Sequence, residues 1–212
     1  MTLKTKTILS LICNAVVLLV TAWVVTSYFI FRNREFGNGA ECFMFFTTDS
    51  NILAAVGSGL VMICDVKILQ GKRTAVARPF TLIKYAGVVS LMLTFFVVIV
   101  LLVPTYGAAR LWGGTGFHMH VAAPILTFIS FVFLEEHTRM SKRDVIFGVL
   151  PAIAYGAVYF LQVVVFKGWL DFYTFNRNGM WYVTMPVILG MTTLMSALVR
   201  MFRNKAAGRR LS

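Results

Sequence analysis

Long apolar stretches, separated by short polar segments, dominate the chain. A bilayer core about 30 Å thick is crossed by roughly 20 apolar residues in a helix, and six stretches reach that length. The second contains the polar run TTDSN near its start, and the third ends at Pro104. We predict membrane-spanning helices at about 8–31, 42–66, 80–103, 118–135, 144–166 and 180–202. The pattern therefore predicts an all-α integral membrane protein, a single six-helix domain over 1–212.

The first stretch has an alternative interpretation as a secretory signal peptide, because Lys4 and Lys6 precede it. The apolar core of a signal peptide has about 7–15 residues and is followed by a small-x-small cleavage site. This stretch is much longer, and no such site follows it. We therefore expect it to stay in the protein as a span.

Composition agrees with a membrane protein. Hydrophobic residues make up 58% of the chain and charged residues only 13%, against about 25% charged in a soluble domain. The net charge of +12 would suggest nucleic acid on a soluble protein. Here the basic residues lie between apolar runs, so we expect no nucleic-acid partner. Cys13, Cys42 and Cys64 have neither disulfide nor zinc spacing.

The basic residues predict the orientation, because cytoplasmic loops are enriched in lysine and arginine. One side carries fourteen: Lys4, Lys6, Lys67, Lys72, Arg73, Arg78, Arg139, Lys142, Arg143, Arg200, Arg203, Lys205, Arg209 and Arg210. The other carries five: Arg32, Arg34, Arg110, Lys167 and Arg177, while Lys84 lies within the third span. We predict that both termini are cytoplasmic. An interfacial aromatic belt is expected on the other side: Trp112, Trp169, Tyr173, Trp181 and Tyr182.

The densest polar cluster within a span is FFTTDSN, at the outer end of the second helix. Residues i, i+3 and i+4 share a helical face, so Thr47, Ser50 and Asn51 form one stripe, whereas Asp49 points elsewhere. Such residues often only bind a neighbouring helix. A hydroxyl can also act as a nucleophile when a base takes its proton.

A second cluster, GFHMHVAAP, opens the fourth span. His118 and His120 face different directions, and we expect His118 at the interface and His120 in the interior. The second and fourth spans run in the same direction, so Thr47 and His120 lie at similar depth. We expect no metal site, because these histidines diverge and His137 lies at the opposite face.

The segment WLDFYTFNRNG (169–179), between the fifth and sixth spans, is a third polar stretch. It is either a simple interfacial loop or a cap over a pocket at the outer ends of the helices. In the second case, Asn176 or Arg177 would meet a polar headgroup or a carboxylate.

Six spans, FT-x-x-SN (Phe46 to Asn51) and H-x-x-x-P (His120, Pro124) resemble the androgen-induced, androgen-dependent family of membrane proteins, especially its bacterial branch. Animal members are threonine hydrolases of fatty acid esters of hydroxy fatty acids. The resemblance implies Thr47 as nucleophile and His120 as base, with no cofactor. Animal members have an acidic residue where this chain has Ser50, and their proline follows the histidine one residue later.

Three functions fit the sequence. The first is a bacterial inner-membrane (plasma-membrane) hydrolase that takes fatty acyl esters from the lipid phase, in which Asn51 and Ser50 supply the oxyanion or substrate contacts. The second is a non-catalytic lipid- or sterol-binding protein. The third is a small carrier, which ranks last because we detect no repeat and no acidic residue at mid-depth in the first, fifth and sixth spans.

Overall fold

The computed structural model describes residues 1–31, 39–109 and 113–208. The structure is 82% helix, and no strand occurs in the described part of the chain. Six helices are long and apolar enough to cross a membrane: α1 (Leu3–Ile30), α2 (Phe46–Leu69), α3 (Arg78–Thr105), α4 (Thr115–Leu134), α5 (Lys142–Val165) and α6 (Trp181–Ala207). The prediction of six long apolar helices is confirmed, with boundaries that shift by five residues at most.

Some residues used to predict the orientation and the aromatic belt lie outside the described residues: Arg32, Arg34, Arg110, Trp112, Arg209 and Arg210. Which side of the membrane the termini face stays a prediction. Contacts do define two ends of the bundle. Ser10, seven residues after α1 begins, donates a hydrogen bond to Asp65, near the end of α2. We call this the termini end, and the opposite one the cavity end.

At the cavity end, α2 begins at Phe46, four residues later than predicted. A short 3-10 helix, Ala40–Met44, precedes it, and Phe45 between them is extended (φ −107°, ψ 125°). Gly39, at φ 88°, takes the left-handed conformation that glycine adopts most readily. The helix start is therefore fixed by a turn that hydropathy does not register.

Two prolines lie just after π-helical turns. Val98–Leu102 in α3 precedes Pro104, and His118–Ala122 in α4 precedes Pro124. Proline has no N–H to donate and its ring crowds the preceding turn, and the wider turn accommodates both effects. The third span thus continues past Pro104, where the sequence predicted its end.

Helices α2 and α3 approach each other closely through glycine. A Cβ atom at Gly57 would lie 2.8 Å from the Cα of Lys84, and one at Gly87 would lie 2.7 Å from the Cα of Ala54. Small residues let membrane helices come this close. The contact places Lys84 directly against α2.

Helices α5 and α6 pack against α3 and against each other. At the termini end, polar contacts fasten α6: Tyr85 Oη donates to the carbonyl oxygen of Ser196 at 2.5 Å. The Asn204 side chain accepts from the backbone N–H of Met140 at 3.0 Å and donates to its carbonyl at 2.8 Å. At the cavity end, α3, α5 and α6 enclose a cavity.

Candidate functional site

Thr47 lies in the first turn of α2 and lines a cavity of about 570 Å³. Its hydroxyl is hydrogen-bonded to the hydroxyl of Tyr173. Tyr173 Oη also accepts from the backbone N–H of Phe46 at 3.1 Å. Burial raises the pKa of Tyr173 to about 12, although its hydrogen bonds with Thr47 and Phe46 act in the opposite direction. Tyr173 is therefore a neutral phenol at physiological pH.

The cavity that Thr47 lines is predominantly apolar. Its walls come from α3, α5 and α6, with Leu93, Ala152 and Ile188 among the lining side chains. Thr47 and Tyr173 are among its polar lining residues. Ligand pockets of this kind measure about 300–1,000 Å³ and use a few polar groups to fix orientation. The volume and lining suit an aliphatic chain with a polar group at one end.

Ser50 and Asn51 both support the turn that carries Thr47. Ser50 Oγ donates to the Thr47 carbonyl at 3.0 Å and shares a 3.1 Å hydrogen bond with Thr94. Asn51 Nδ2 donates to the same carbonyl at 2.7 Å and to the Met119 carbonyl at 3.1 Å. An amide has two N–H groups, so both are engaged. As an oxyanion donor, Asn51 would first have to release one of these carbonyls.

His120 lies within the π-helical turn of α4, next to the Met119 carbonyl that Asn51 binds. Its side chain is half-buried, and its Nδ1 is buried without a hydrogen-bond partner among the described residues. Helices α2 and α4 are thus neighbours at the depth of Thr47. His120 is not among the residues that line the cavity, and His118 is exposed. π-Helical turns recur at functional sites.

Residues from the 169–179 segment line the cavity: Tyr173, Thr174 and Phe175. Asp171 shapes this segment by accepting hydrogen bonds from the Tyr159 hydroxyl and from the backbone N–H groups of Phe175 and Asn176. The two residues singled out from the sequence lie elsewhere. Asn176 is half-buried and Arg177 is exposed, and neither lines the cavity.

Asp49 faces a second, smaller cavity of about 320 Å³ between α2 and α5. The two cavities have Phe46 and Tyr155 as common lining residues, whose rings lie 5.0 Å apart between centroids. Helical geometry predicted that Asp49 and Thr47 point in different directions, and the two residues do face different cavities.

Sequence reasoning missed a buried cluster of charged groups at the termini end. Lys84 and Glu135 are both fully buried, with Nζ 3.7 Å from Oε1. Lys84 Nζ also donates to Asn14 Oδ1 at 2.6 Å and to Ser58 Oγ at 2.7 Å. The signal in the sequence was Lys84 itself, since a charged residue within a span requires a partner. Its partner follows 51 residues later, just beyond α4.

His137 extends this cluster, with Nε2 2.6 Å from Glu135 Oε2 and Nδ1 2.9 Å from the Thr81 hydroxyl. Burial lowers the pKa of His137, against the effect of Glu135. A neutral imidazole protonated on Nε2 fits both contacts, donating to Glu135 and accepting from Thr81. Burial alone would raise the pKa of Glu135, but Lys84 and His137 outweigh it and hold the pKa at about 2.

Comparisons with protein-family models, with curated proteins and with solved structures find no match for this chain.

Proposed function

We propose that the protein is an intramembrane lipid-ester hydrolase with Thr47 as its nucleophile. The observation that carries the proposal is the place of the Thr47 hydroxyl, in the wall of a predominantly apolar cavity of about 570 Å³. A fatty acyl ester would lay its chain along α3, α5 and α6 and present its carbonyl to Thr47. Fatty acid esters of hydroxy fatty acids belong to this substrate class.

In the proposed reaction, Thr47 Oγ attacks the ester carbonyl, the alcohol leaves, and water then hydrolyses the acyl-enzyme. His120 is the proposed base, which takes the threonine proton and returns it to the leaving alcohol. Its unpartnered Nδ1 supports this role. Tyr173, a neutral phenol beside Thr47, is better placed than the engaged amide of Asn51 to donate to the oxyanion.

The same proposal includes the topology: both termini cytoplasmic, in a bacterial inner membrane. It is supported by the fourteen-to-five distribution of basic residues. The cavity end would then face the outer leaflet. A reporter that is active only after export, fused after Ser212, should give no signal; export of the reporter would contradict this orientation.

The second candidate is a lipid- or sterol-binding protein without catalytic activity. The contacts of Thr47 favour it. The Thr47 hydroxyl is hydrogen-bonded to the phenol of Tyr173 rather than to the imidazole of His120, and His120 does not line the cavity. The cavity would then hold a lipid chain, with Thr47 and Tyr173 bonding to its polar end.

Covalent labelling by an alkyl phosphonate lipase probe separates the two functions. A hydrolase should be labelled, and labelling should vanish in Thr47→Ala, persist in Thr47→Ser and persist in Thr48→Ala, the neighbouring hydroxyl. A binding protein without catalytic activity would take up no label in the parent or in any variant. Labelling that survives in Thr47→Ala would exclude Thr47 as the nucleophile.

A further inference from the structure

The cavity of about 320 Å³ between α2 and α5 combines aromatic walls with one carboxylate. Phe43, Phe46, Tyr155 and Trp169 line it, together with Asp49 and Ser50. Trp169 and Asp49 are half-buried, and Phe43 is 43% exposed. The cavity lies near the start of α2. The ends of membrane-spanning helices lie at the level of the lipid headgroups.

The Asp49 carboxylate has no counter-ion within the described part of the chain. Arg78 pairs with Asp144, Lys84 with Glu135 and His137 with Glu135, and none of these ion pairs includes Asp49. A carboxylate within a membrane span is costly and marks a functional site by default. Asp49 lies in the first turn of α2, where the positive end of the helix dipole helps to tolerate a negative charge. The helix dipole explains how the charge is tolerated, but not why aromatic side chains surround it.

Aromatic faces and a carboxylate together recognise ammonium groups. The ring quadrupole attracts a cation within about 6 Å of the ring centroid, and the carboxylate supplies the opposite charge. We propose that this cavity binds the ammonium headgroup of a membrane phospholipid, with Asp49 as the counter-ion and Tyr155 and Trp169 among the walls.

The neighbouring cavity is consistent with this assignment. Phe46 and Tyr155 separate the headgroup cavity from the larger apolar cavity. A phospholipid bound at Asp49 therefore has an apolar cavity next to it that can take one of its chains. The assignment is a statement about binding and holds whether or not Thr47 is a nucleophile.

Native mass spectrometry of the full-length protein in detergent tests the proposal. The protein is mixed with equal amounts of phosphatidylethanolamine, phosphatidylcholine and phosphatidylglycerol of matched acyl chains. The net charge of +12 favours the anionic phosphatidylglycerol everywhere else on the surface. We expect the lipid that the protein releases last to be one that carries an ammonium group. A preference for phosphatidylethanolamine over phosphatidylcholine would point to hydrogen bonding with Asp49, and the reverse to the aromatic walls.

The decisive variant is Asp49→Asn, which keeps the shape of the side chain and removes its charge. It should weaken ammonium-lipid binding roughly five- to tenfold. Glu41→Gln is the matched control, because Glu41 is exposed at the same end and its loss changes the net charge equally. Equal binding in the parent and Asp49→Asn, or an equal loss in both variants, would overturn the proposal. Binding is measured here without any hydrolysis assay, so failure of this proposal and failure of the proposed hydrolase are distinguishable.

Discussion

Lys84 and Glu135 form an ion pair, 3.7 Å apart, in which neither side chain is exposed. Lys84 belongs to α3, and Glu135 follows directly after α4. Asn14 of α1 and Ser58 of α2 complete the surroundings of the ammonium group. Arg203 of α6 donates to the backbone carbonyls of Glu135 and His137 at 3.1 and 3.3 Å. The ion pair, its two hydrogen-bond partners and the backbone that follows α4 thus connect α1, α2, α3, α4 and α6.

Removing one partner of this pair should destabilise the protein strongly, because the other charge stays buried. We expect Lys84→Met and Glu135→Gln each to lower the free energy of unfolding by about 3–5 kcal/mol. The double variant should lose clearly less than the two single losses together. Unfolding in mixed micelles measures all three. Strictly additive losses would show that the two groups do not interact.

The Arg78–Asp144 pair is the control, because its distance is short, 2.7 Å, while the Arg78 side chain is 50% exposed. Exposed ion pairs contribute about 0–1 kcal/mol. Arg78→Gln should therefore change stability far less than Lys84→Met does.

The acid stability of the protein should depend on Glu135. Its pKa lies at about 2 in the folded protein against an ordinary value of 4.5. The stability that this shift contributes is present above pH 4.5 and is lost as the pH falls towards 2, because the unfolded state takes up the proton first. In Glu135→Gln, unfolding followed from pH 6 to pH 2 should lack this component. Glu41→Gln, an exposed carboxylate, should follow the parent.

Close packing of α2 on α3 predicts a difference between two glycines of the same helix. Alanine at Gly57 would place its Cβ 2.8 Å from the Lys84 Cα, whereas at Gly59 the nearest atom is Leu18 Cδ2 at 3.9 Å. We expect Gly57→Ala to lower the melting temperature, with an overpacking cost of about 1–3 kcal/mol. Gly59→Ala should be neutral or stabilising, since alanine favours helix by about 1 kcal/mol. Equal melting temperatures would contradict the described helix contact.

Hydrolysis of fatty acyl esters should depend on Thr47 and His120 as a unit. Each alanine variant should lose turnover by about 10³-fold or more, and the double variant should lose little beyond either. Single-turnover release of a labelled fatty acid measures this. If both single variants hydrolysed a panel of esters as fast as the parent, the proposed mechanism would be wrong.

Tyr173→Phe tests the oxyanion role that the structure suggests. Loss of one oxyanion donor typically lowers kcat by about 10²–10³-fold, and KM should change little because the ring still fills its place. Arg177→Gln, an exposed side chain in the same segment, should keep the parent kcat. A rise in KM with kcat unchanged would instead indicate that Tyr173 only binds the substrate.

The number and extent of the spans could be predicted from the sequence because hydropathy over about 20 residues is a local property. The course of α3 beyond Pro104 could not, because the π-helical turn that accommodates the proline is not encoded in hydropathy. The direction of Asp49 followed from helical periodicity alone.

Partners across the bundle were harder to predict. Glu135 ended the predicted fourth span and His137 lay just beyond it, and only the packing of the helices brings Lys84 to them. In the 169–179 segment, Asn176 and Arg177 were chosen because they are polar. Tyr173 lines the cavity instead, because the Asp171 carboxylate accepts hydrogen bonds from the backbone N–H groups of Phe175 and Asn176 and so sets the course of the segment.

The polar contacts that hold α6 lie at the termini end, at Ser196, Arg203 and Asn204. Its other half lines the apolar cavity, where contacts are weak and non-directional. The α5–α6 hairpin is also fastened at the cavity end, where Tyr155 Oη donates to the Met44 carbonyl at 2.7 Å and Tyr173 Oη accepts from the Phe46 N–H at 3.1 Å. A lipid chain in the cavity would therefore replace apolar contacts with α6 and leave the hydrogen bonds at both ends of the hairpin in place.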